Sequence, residues 1–349
     1  MAARHGAGPV SYTHLTLGLA EDTWALNEGA IGEDAFLRQA ELIQKEREAM
    51  FFSALERTRR GVVACVFDTT DRVQHMFHGR PEVIEPLYCD MDRIVGKTLA
   101  YADPDTALFI LSDHGFCAFR RGVNLNSWLL REGYLSLDAG LTASGEYLEG
   151  IDWTKTRAYT FGLGGLYLNL RGREAHGILS KQEAAKLLDE LVRKLTGLAD
   201  EETGETAIQS VYRASDIYRG PYLNAAPDLI VGYAPGYRAS WDAATGRVTS
   251  AIFEDNRKAW RGDHCVDPPQ GENRLVVTPR IEQCQTALVS FLFRQLVFWI
   301  GRRIARRLFS ARRVPQRTEH LSRVRRRFGR RLPLRRRVPG HQIFELRFH

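Results

Sequence analysis

Thr106-Ala107-Leu108-Phe109-Ile110-Leu111-Ser112-Asp113-His114-Gly115 is the stretch on which the fold turns. A short, mostly apolar run bounded by polar residues reads as a buried strand. Gly115 then opens a loop, so a carboxylate and an imidazole stand side by side where the strand ends. A second junction of this kind lies upstream. Gly61 to Phe67 is apolar, and Asp71-Arg72-Val73-Gln74-His75 follows it. Between the two strands, residues 81–101 read as a helix with Pro81 near its start. Ahead of them, residues 34–59 place Phe36, Leu37, Ala40, Ile43, Met50, Phe51 and Leu55 at helical spacing among many charges. Helix, strand, helix, strand in this rhythm predicts an α/β fold with a mainly parallel central sheet flanked by helices. Such sheets put ligands at the carboxyl ends of strands, which is where Asp71 and Asp113 fall.

Working outward, residues 1–32 read as loop. Asn124 or Asn126 caps a short helix through Leu130, which Gly133 terminates. Residues 157–161, 166–170 and 227–233 read as strands. Ser180-Lys181-Gln182-Glu183 has the spacing of a capping box and opens a helix to about Leu198.

The average charge hides a division. Of 349 residues, the last 80 hold 20 Arg, no Lys and four acids, a balance of +16. Residues 1–269 carry −9, which together give the net +7. The body is acidic and the tail is basic. The Arg clusters at 302–307, 312–313, 325–327, 330–331 and 335–337 follow no strand–helix alternation. The break near Pro269 marks residues 269–349 as a segment apart, expected to be non-native or disordered. Out-of-frame translation of a GC-rich gene accounts for it, and a basic arm for nucleic acid or anionic membrane is the alternative. Within it, residues 287–300 are apolar but shorter than the roughly 20 residues a membrane span needs, with Arg294 in the middle; they read as an interfacial or buried helix. Five cysteines form no C-x-x-C pair, which predicts buried thiols in a reducing compartment. Met1 to Leu17 contains no apolar signal-peptide core, so a cytoplasmic location is expected.

Asp113 and His114 are donors suited to Zn²⁺ or Mn²⁺. Asp71 and His75 are four apart and share one face if their segment is helical. Gly262-Asp263-His264 lies far downstream. Asp68 and His78 rival the Asp71–His75 pair, and Asp263 reads either as a loop acid or as a partner that orients an imidazole. Trp128, Asn124, Tyr167 and Arg238 read as pocket-shaping residues or, equally, as packing and caps.

In order and context these pieces resemble the type I phosphodiesterase/nucleotide pyrophosphatase family of the alkaline phosphatase superfamily. The resemblance rests on Thr70-Asp71-Arg72-Val73-Gln74-His75, Leu111-Ser112-Asp113-His114-Gly115-Phe116 and Gly262-Asp263-His264. Gly122 to Leu129, Leu163 to Asn169 and Ala226 to Tyr233 also look like its bacterial and archaeal members. The similarity covers roughly residues 15–268. It implies an alkaline-phosphatase-like fold and a hydrolase acting on a small-molecule phosphoester held by two divalent ions, zinc or alternatively manganese. By that resemblance Asp71, His75 and His264 hold one ion, and Asp113 and His114 the other. The family's nucleophile is a Thr or Ser a few residues after an Asp-Gly that caps the first strand. Ser11, Thr13, Thr16 and Thr23 follow no such strand, and Asp22 precedes Thr23 without a glycine. The expectation is therefore a partial catalytic domain, residues 33–268, incomplete on its N-terminal side and without a nucleophile. The alternatives are a metal-dependent phosphomutase of the same superfamily, and a non-catalytic remnant or binding module whose basic tail contacts anionic polymers.

Overall fold

The computed structural model describes residues 19–103 and 105–267, together with the backbone of three strands further on. In chain order the elements are α1 (Thr23–Asn27), α2 (Glu33–Arg57), β1 (Val62–Val66), α3 (Thr69–Phe77), α4 (Pro81–Leu99), β2 (Ala107–Leu111), β3 (Cys117–Val123) and α5 (Leu125–Arg131). There follow β4 (Ala158–Phe161), β5 (Gly165–Leu168), α6 (Lys181–Leu195), β6 (Ile208–Arg213), α7 (Ala214–Ile217), β7 (Leu229–Tyr233) and β8 (Gly236–Ala239). The last are α8 (Trp241–Ala244), β9 (Phe253–Asp255), β10 (Gly262–Asp263), β11 (Arg274–Val277), β12 (Leu296–Ile300) and β13 (Phe344–Arg347).

The local signals read in the sequence act as expected. Asn124, rather than Asn126, caps α5 by accepting the Ser127 N–H at 3.1 Å, and Gly133 leaves that helix with φ +74°. Asn126 is fully buried and ties the Thr160 backbone to Gly246. Ser180 and Glu183 form the reciprocal capping box. The loop reading of residues 1–32 needs correction at one point. Thr23–Asn27 is helical, with Asp22 accepting the Ala25 N–H at 2.8 Å. One turn and a half is too short to leave a periodic signal.

The mainly parallel sheet is also corrected. The described strands form three sheets, ordered β1-β12-β2-β11-β13, β10-β3-β8 with β9 also on β3, and β4-β5-β7-β6. The β3–β8 ladder is parallel and the other ladders are antiparallel. β1 and β2 do run the same way, because each is antiparallel to β12, which lies between them. The crossover through α3 and α4 fixed their common direction. A strand arriving from nearly two hundred residues downstream fills the slot, and no local pattern could announce that. Residues 296–300, read as part of a helix, are that strand. An apolar run this short does not distinguish strand from buried helix. The remainder of the 269–349 segment lies outside the described residues, apart from β11 and β13.

Three apolar clusters hold these layers. The largest packs α5 and α6 on the β4-β5-β7-β6 sheet, with Leu129, Leu166, Leu168, Leu191 and Leu195 fully buried. A second joins α2 and α4 to β1 and β2 through Phe51, Phe52, Ile94 and Leu108. The third seats α3 on α1 and α2 through Leu26, Phe36, Val73, Met76 and Phe77. Among the described residues no helix is long and apolar enough to cross a membrane. Cys65, Cys89, Cys117 and Cys265 are free thiols. Cys89 is exposed, against expectation, whereas burial pushes the Cys65 thiol up to about 12.

Candidate metal centre

α3 leaves the end of β1, and every residue in it except Arg72 is buried. The segment that read as a conditional helix is a helix, so Asp71 and His75 stand one turn apart on its inner face. Asp71 occupies the first turn, where the helix dipole favours a carboxylate. The loop after β2 brings His114 in from a second direction, and the Ser112 hydroxyl donates to the His114 carbonyl at 2.6 Å to hold the turn. β10 brings His264 from a third.

The three imidazoles converge on one oxygen. Asp71 Oδ1 lies 3.6 Å from His75 Nε2, 3.7 Å from His114 Nε2 and 3.6 Å from His264 Nε2. Asp71 and His75 are 6% and 3% exposed, and among the described residues no donor hydrogen-bonds Asp71 Oδ1. His114 and His264 stack face to face with centroids 3.6 Å apart. The Phe116 ring presents to all three imidazoles at 4.9–5.5 Å, and Trp260 covers His75 at 4.0 Å.

Tautomers follow from the outer hydrogen bonds. His75 Nδ1 donates to the Gly262 carbonyl at 2.8 Å, and His114 Nδ1 to the Gly115 carbonyl at 3.1 Å. Each Nε2 is thereby left with a lone pair facing Asp71. Burial, only partly opposed by Asp71, holds His75 below the usual histidine range. Burial and the neighbouring His114 lower His264 to about 4. Both rings are neutral at pH 7, the form a metal ion requires.

A buried carboxylate oxygen without a donor, facing neutral imidazole nitrogens, fits a divalent cation. Tetrahedral zinc with bonds of about 2.0–2.1 Å sets its donor atoms about 3.3 Å apart, close to the separations here. The donor atoms of Asp71, His75 and His264 all lie within 4.8 Å of one another. Asp113 Oδ1 is 3.4 Å from His114 Nε2, so His114 stands between Asp71 and Asp113.

The model of the family described as "Type I phosphodiesterase / nucleotide pyrophosphatase" matches residues 13–264. The chain belongs to this family. Its match ends on His264, the last of the converging imidazoles, and family membership supports a phosphoester hydrolase kind of function. No curated protein and no solved structure matches the chain.

The rival ligands of this family member are engaged elsewhere. Asp68 pairs with Arg47, and His78 packs behind Gly262. Asp263 accepts the backbone N–H groups of His264 and Cys265 at 2.8 and 3.0 Å and the Trp260 indole N–H at 3.0 Å. It is thus a loop-organising acid. Of the pocket-shaping candidates, Asn124 is a cap that also binds the Arg247 carbonyl, Trp128 stacks on Tyr134 in the core, and Tyr167 stacks on Tyr159. Arg238 is buried beside Asp263. Sequence reasoning missed Trp260 and the role of Gly262, because their value lies in what they touch across the fold. The hydroxyls next to the ligands all donate to protein acceptors: Thr69 to Glu21, Thr70 to the Phe67 carbonyl at 3.2 Å, and Ser112 as described.

Proposed function

We propose that this chain is a metal-dependent phosphoester hydrolase of phosphodiesterase/pyrophosphatase type, taking a small-molecule phosphoester. The supporting observation is Asp71 Oδ1, buried, without a hydrogen-bond donor and ringed by three imidazole nitrogens. Asp71, His75 and His264 would hold one divalent ion, and Asp113 and His114 a second, with zinc preferred and manganese the alternative. When bound, such ions act as Lewis acids on phosphoryl oxygens and stabilise the oxygens of an in-line displacement. The protein's own part is positional. Gly262 and Gly115 fix the tautomers of His75 and His114, Phe116 packs against all three imidazoles and Trp260 covers His75, and burial keeps His75 and His264 free of protons.

Nucleophilic catalysis needs a positioned, activated hydroxyl. Among the described residues the hydroxyls next to the ligands donate to Glu21 and to backbone carbonyls, and none of them follows an Asp-Gly at a strand end, the family's nucleophile pattern. We therefore expect metal binding with slow turnover, an outcome that favours a non-catalytic remnant over a phosphomutase, which also needs a hydroxyl to phosphorylate. Free thiols at Cys65, Cys89, Cys117 and Cys265 support a cytoplasmic setting. Contact of the Arg-rich tail with nucleic acid or membrane stays a secondary proposal.

The test is metal content by mass spectrometry after loading and desalting, together with hydrolysis of a nitrophenyl phosphodiester. Close to two ions per chain, reduced in His264→Ala and Asp113→Ala, is the expected result. Metal content near zero would remove the ligand assignment. Turnover on the order of 1–10³ s⁻¹, the range of ordinary enzymes, would show that a nucleophile is in place.

A further inference from the structure

Arg238 lies on β8, Phe119 on β3 and Asp263 on β10, three of the four strands of one sheet, with β3 between the other two. Arg238 and Asp263 are 3% and 4% exposed. The guanidinium carbon sits 4.3 Å from the Phe119 ring centroid and 4.3 Å from that of Trp241, so the cation is held between two aromatic faces. Its Nε is 3.2 Å from Asp263 Oδ2. Among the described residues neither its Nε nor its Nη2, both buried, has a hydrogen-bond partner, so the contact with Asp263 is an ion pair. Burying a guanidinium that is incompletely hydrogen-bonded costs stability, and apolar residues of similar size often serve a core better. A purely structural account leaves this arrangement unexplained.

What the charge holds in place is the metal-facing loop. Asp263 Oδ1 accepts the N–H of His264 at 2.8 Å and of Cys265 at 3.0 Å. Asp263 Oδ2 accepts Trp260 Nε1–H at 3.0 Å, and the Trp260 ring lies over His75. Two routes therefore lead from one cation to two imidazoles, one through the His264 backbone and one through the indole. Trp241, on the other side of the guanidinium, meets Trp260 edge to face at 5.7 Å.

We infer that Arg238 is a positioning residue for the metal centre: its charge beside Oδ2 anchors the Asp263 carboxylate, which sets where His264 and Trp260 stand, and so the affinity and geometry with which Asp71, His75 and His264 take a divalent ion. The inference rests on the proposed metal site and goes beyond it, since Arg238 touches none of the donor atoms. Outer groups that orient ligating histidines commonly change metal affinity by about 10–100-fold when removed.

The probe is Co²⁺, whose visible absorption reports both binding and ligand geometry. The full chain is titrated as wild type, Arg238→Met, Arg238→Lys and Leu191→Ala, the last a core variant remote from the centre. Arg238→Met is expected to bind Co²⁺ about 10–100-fold more weakly, with a changed band shape. Arg238→Lys, which restores charge but not the planar group between the rings, is expected to fall between. Leu191→Ala, although destabilised, is expected to give the wild-type affinity and spectrum. Wild-type affinity and band shape in a folded Arg238→Met would overturn the inference while leaving the metal site standing. Failure of the wild type to bind Co²⁺ would overturn both. Should Arg238→Met not fold, Asp263→Asn keeps the shape of the side chain and removes the charge that faces Arg238; a shifted spectrum supports the clamp, and an unchanged one refutes it.

Discussion

Gly262 is the position where the smallest change should do the most specific damage. A Cβ built there would stand 2.5 Å from His78 Cβ, 2.7 Å from the Gln74 carbonyl oxygen and 2.9 Å from His78 Cγ. One of those atoms is α3 backbone and another is a Cβ, so neither can swing aside. Relief requires β10 to move off α3. The same two elements are joined by the 2.8 Å bond from His75 Nδ1 to the Gly262 carbonyl and by the 2.7 Å bond from Arg261 N–H to the His75 carbonyl. Overpacking of this kind costs about 1–3 kcal/mol, and the loss of one buried hydrogen bond adds about 1 kcal/mol. Gly262→Ala is therefore expected to lose about 2–4 kcal/mol by urea denaturation of the metal-free protein. Because His75 also loses the acceptor that fixes its tautomer, Co²⁺ affinity should fall by about 10–100-fold. Gly96 is the internal control. It lies inside α4 with nothing within 4 Å of an added Cβ, so Gly96→Ala should gain about 0.5–1 kcal/mol and bind Co²⁺ normally. A Gly262→Ala protein with wild-type stability and wild-type metal affinity would refute the close approach of β10 to α3.

Three further outcomes are expected. Asp71→Asn removes the charge on which the imidazoles converge, so metal affinity should drop by more than the roughly 100-fold of an outer residue. Its metal-free stability should be unchanged or higher, since an amide N–H can donate to an imidazole nitrogen where the carboxylate found no donor; a large loss of metal-free stability would contradict this. His75 and His264 titrate below the ordinary value of 6.5, His264 at about 4, with burial the leading cause in both. Between those values the unfolded chain binds protons that the folded metal-free protein excludes. The His264 contribution is thus complete above about pH 6.5 and is lost as pH falls toward about 4, and that of His75 changes in the same direction; thermal melts in chelator that stay flat across that window would rule it out. Ser180→Ala breaks the capping box of α6 and should cost about 1 kcal/mol without moving metal affinity.

The local chemistry of this chain is legible in its sequence. Apolar runs bounded by Gly and polar residues located β1 and β2. The Ser180–Glu183 spacing located the start of α6, and the i, i+4 pair Asp71–His75 anticipated a shared helix face. Each of these depends on a handful of neighbouring residues, and short-range sterics and hydrogen bonding settle them. The same applies to Asp113-His114 at the end of β2, because a strand end is where a side chain can leave the sheet.

Other features were decided only when distant segments met. Asp71 acquires its meaning from three imidazoles arriving from α3, the loop after β2, and β10, and only their convergence leaves its Oδ1 buried without a donor. β12 separates β1 from β2 and makes an expected parallel pairing antiparallel, although the sequences of β1 and β2 are indifferent to which neighbour they pair with. Trp260 and Arg238 carry no motif, and Gly262 is read in the sequence only as part of Gly262-Asp263-His264; they matter because a missing Cβ against α3, an indole ring over His75 and a guanidinium beside Asp263 each meet a partner that only the fold brings near. Sequence fixes what a residue can donate, accept or bury, whereas the close-packed interior determines which partner is within reach.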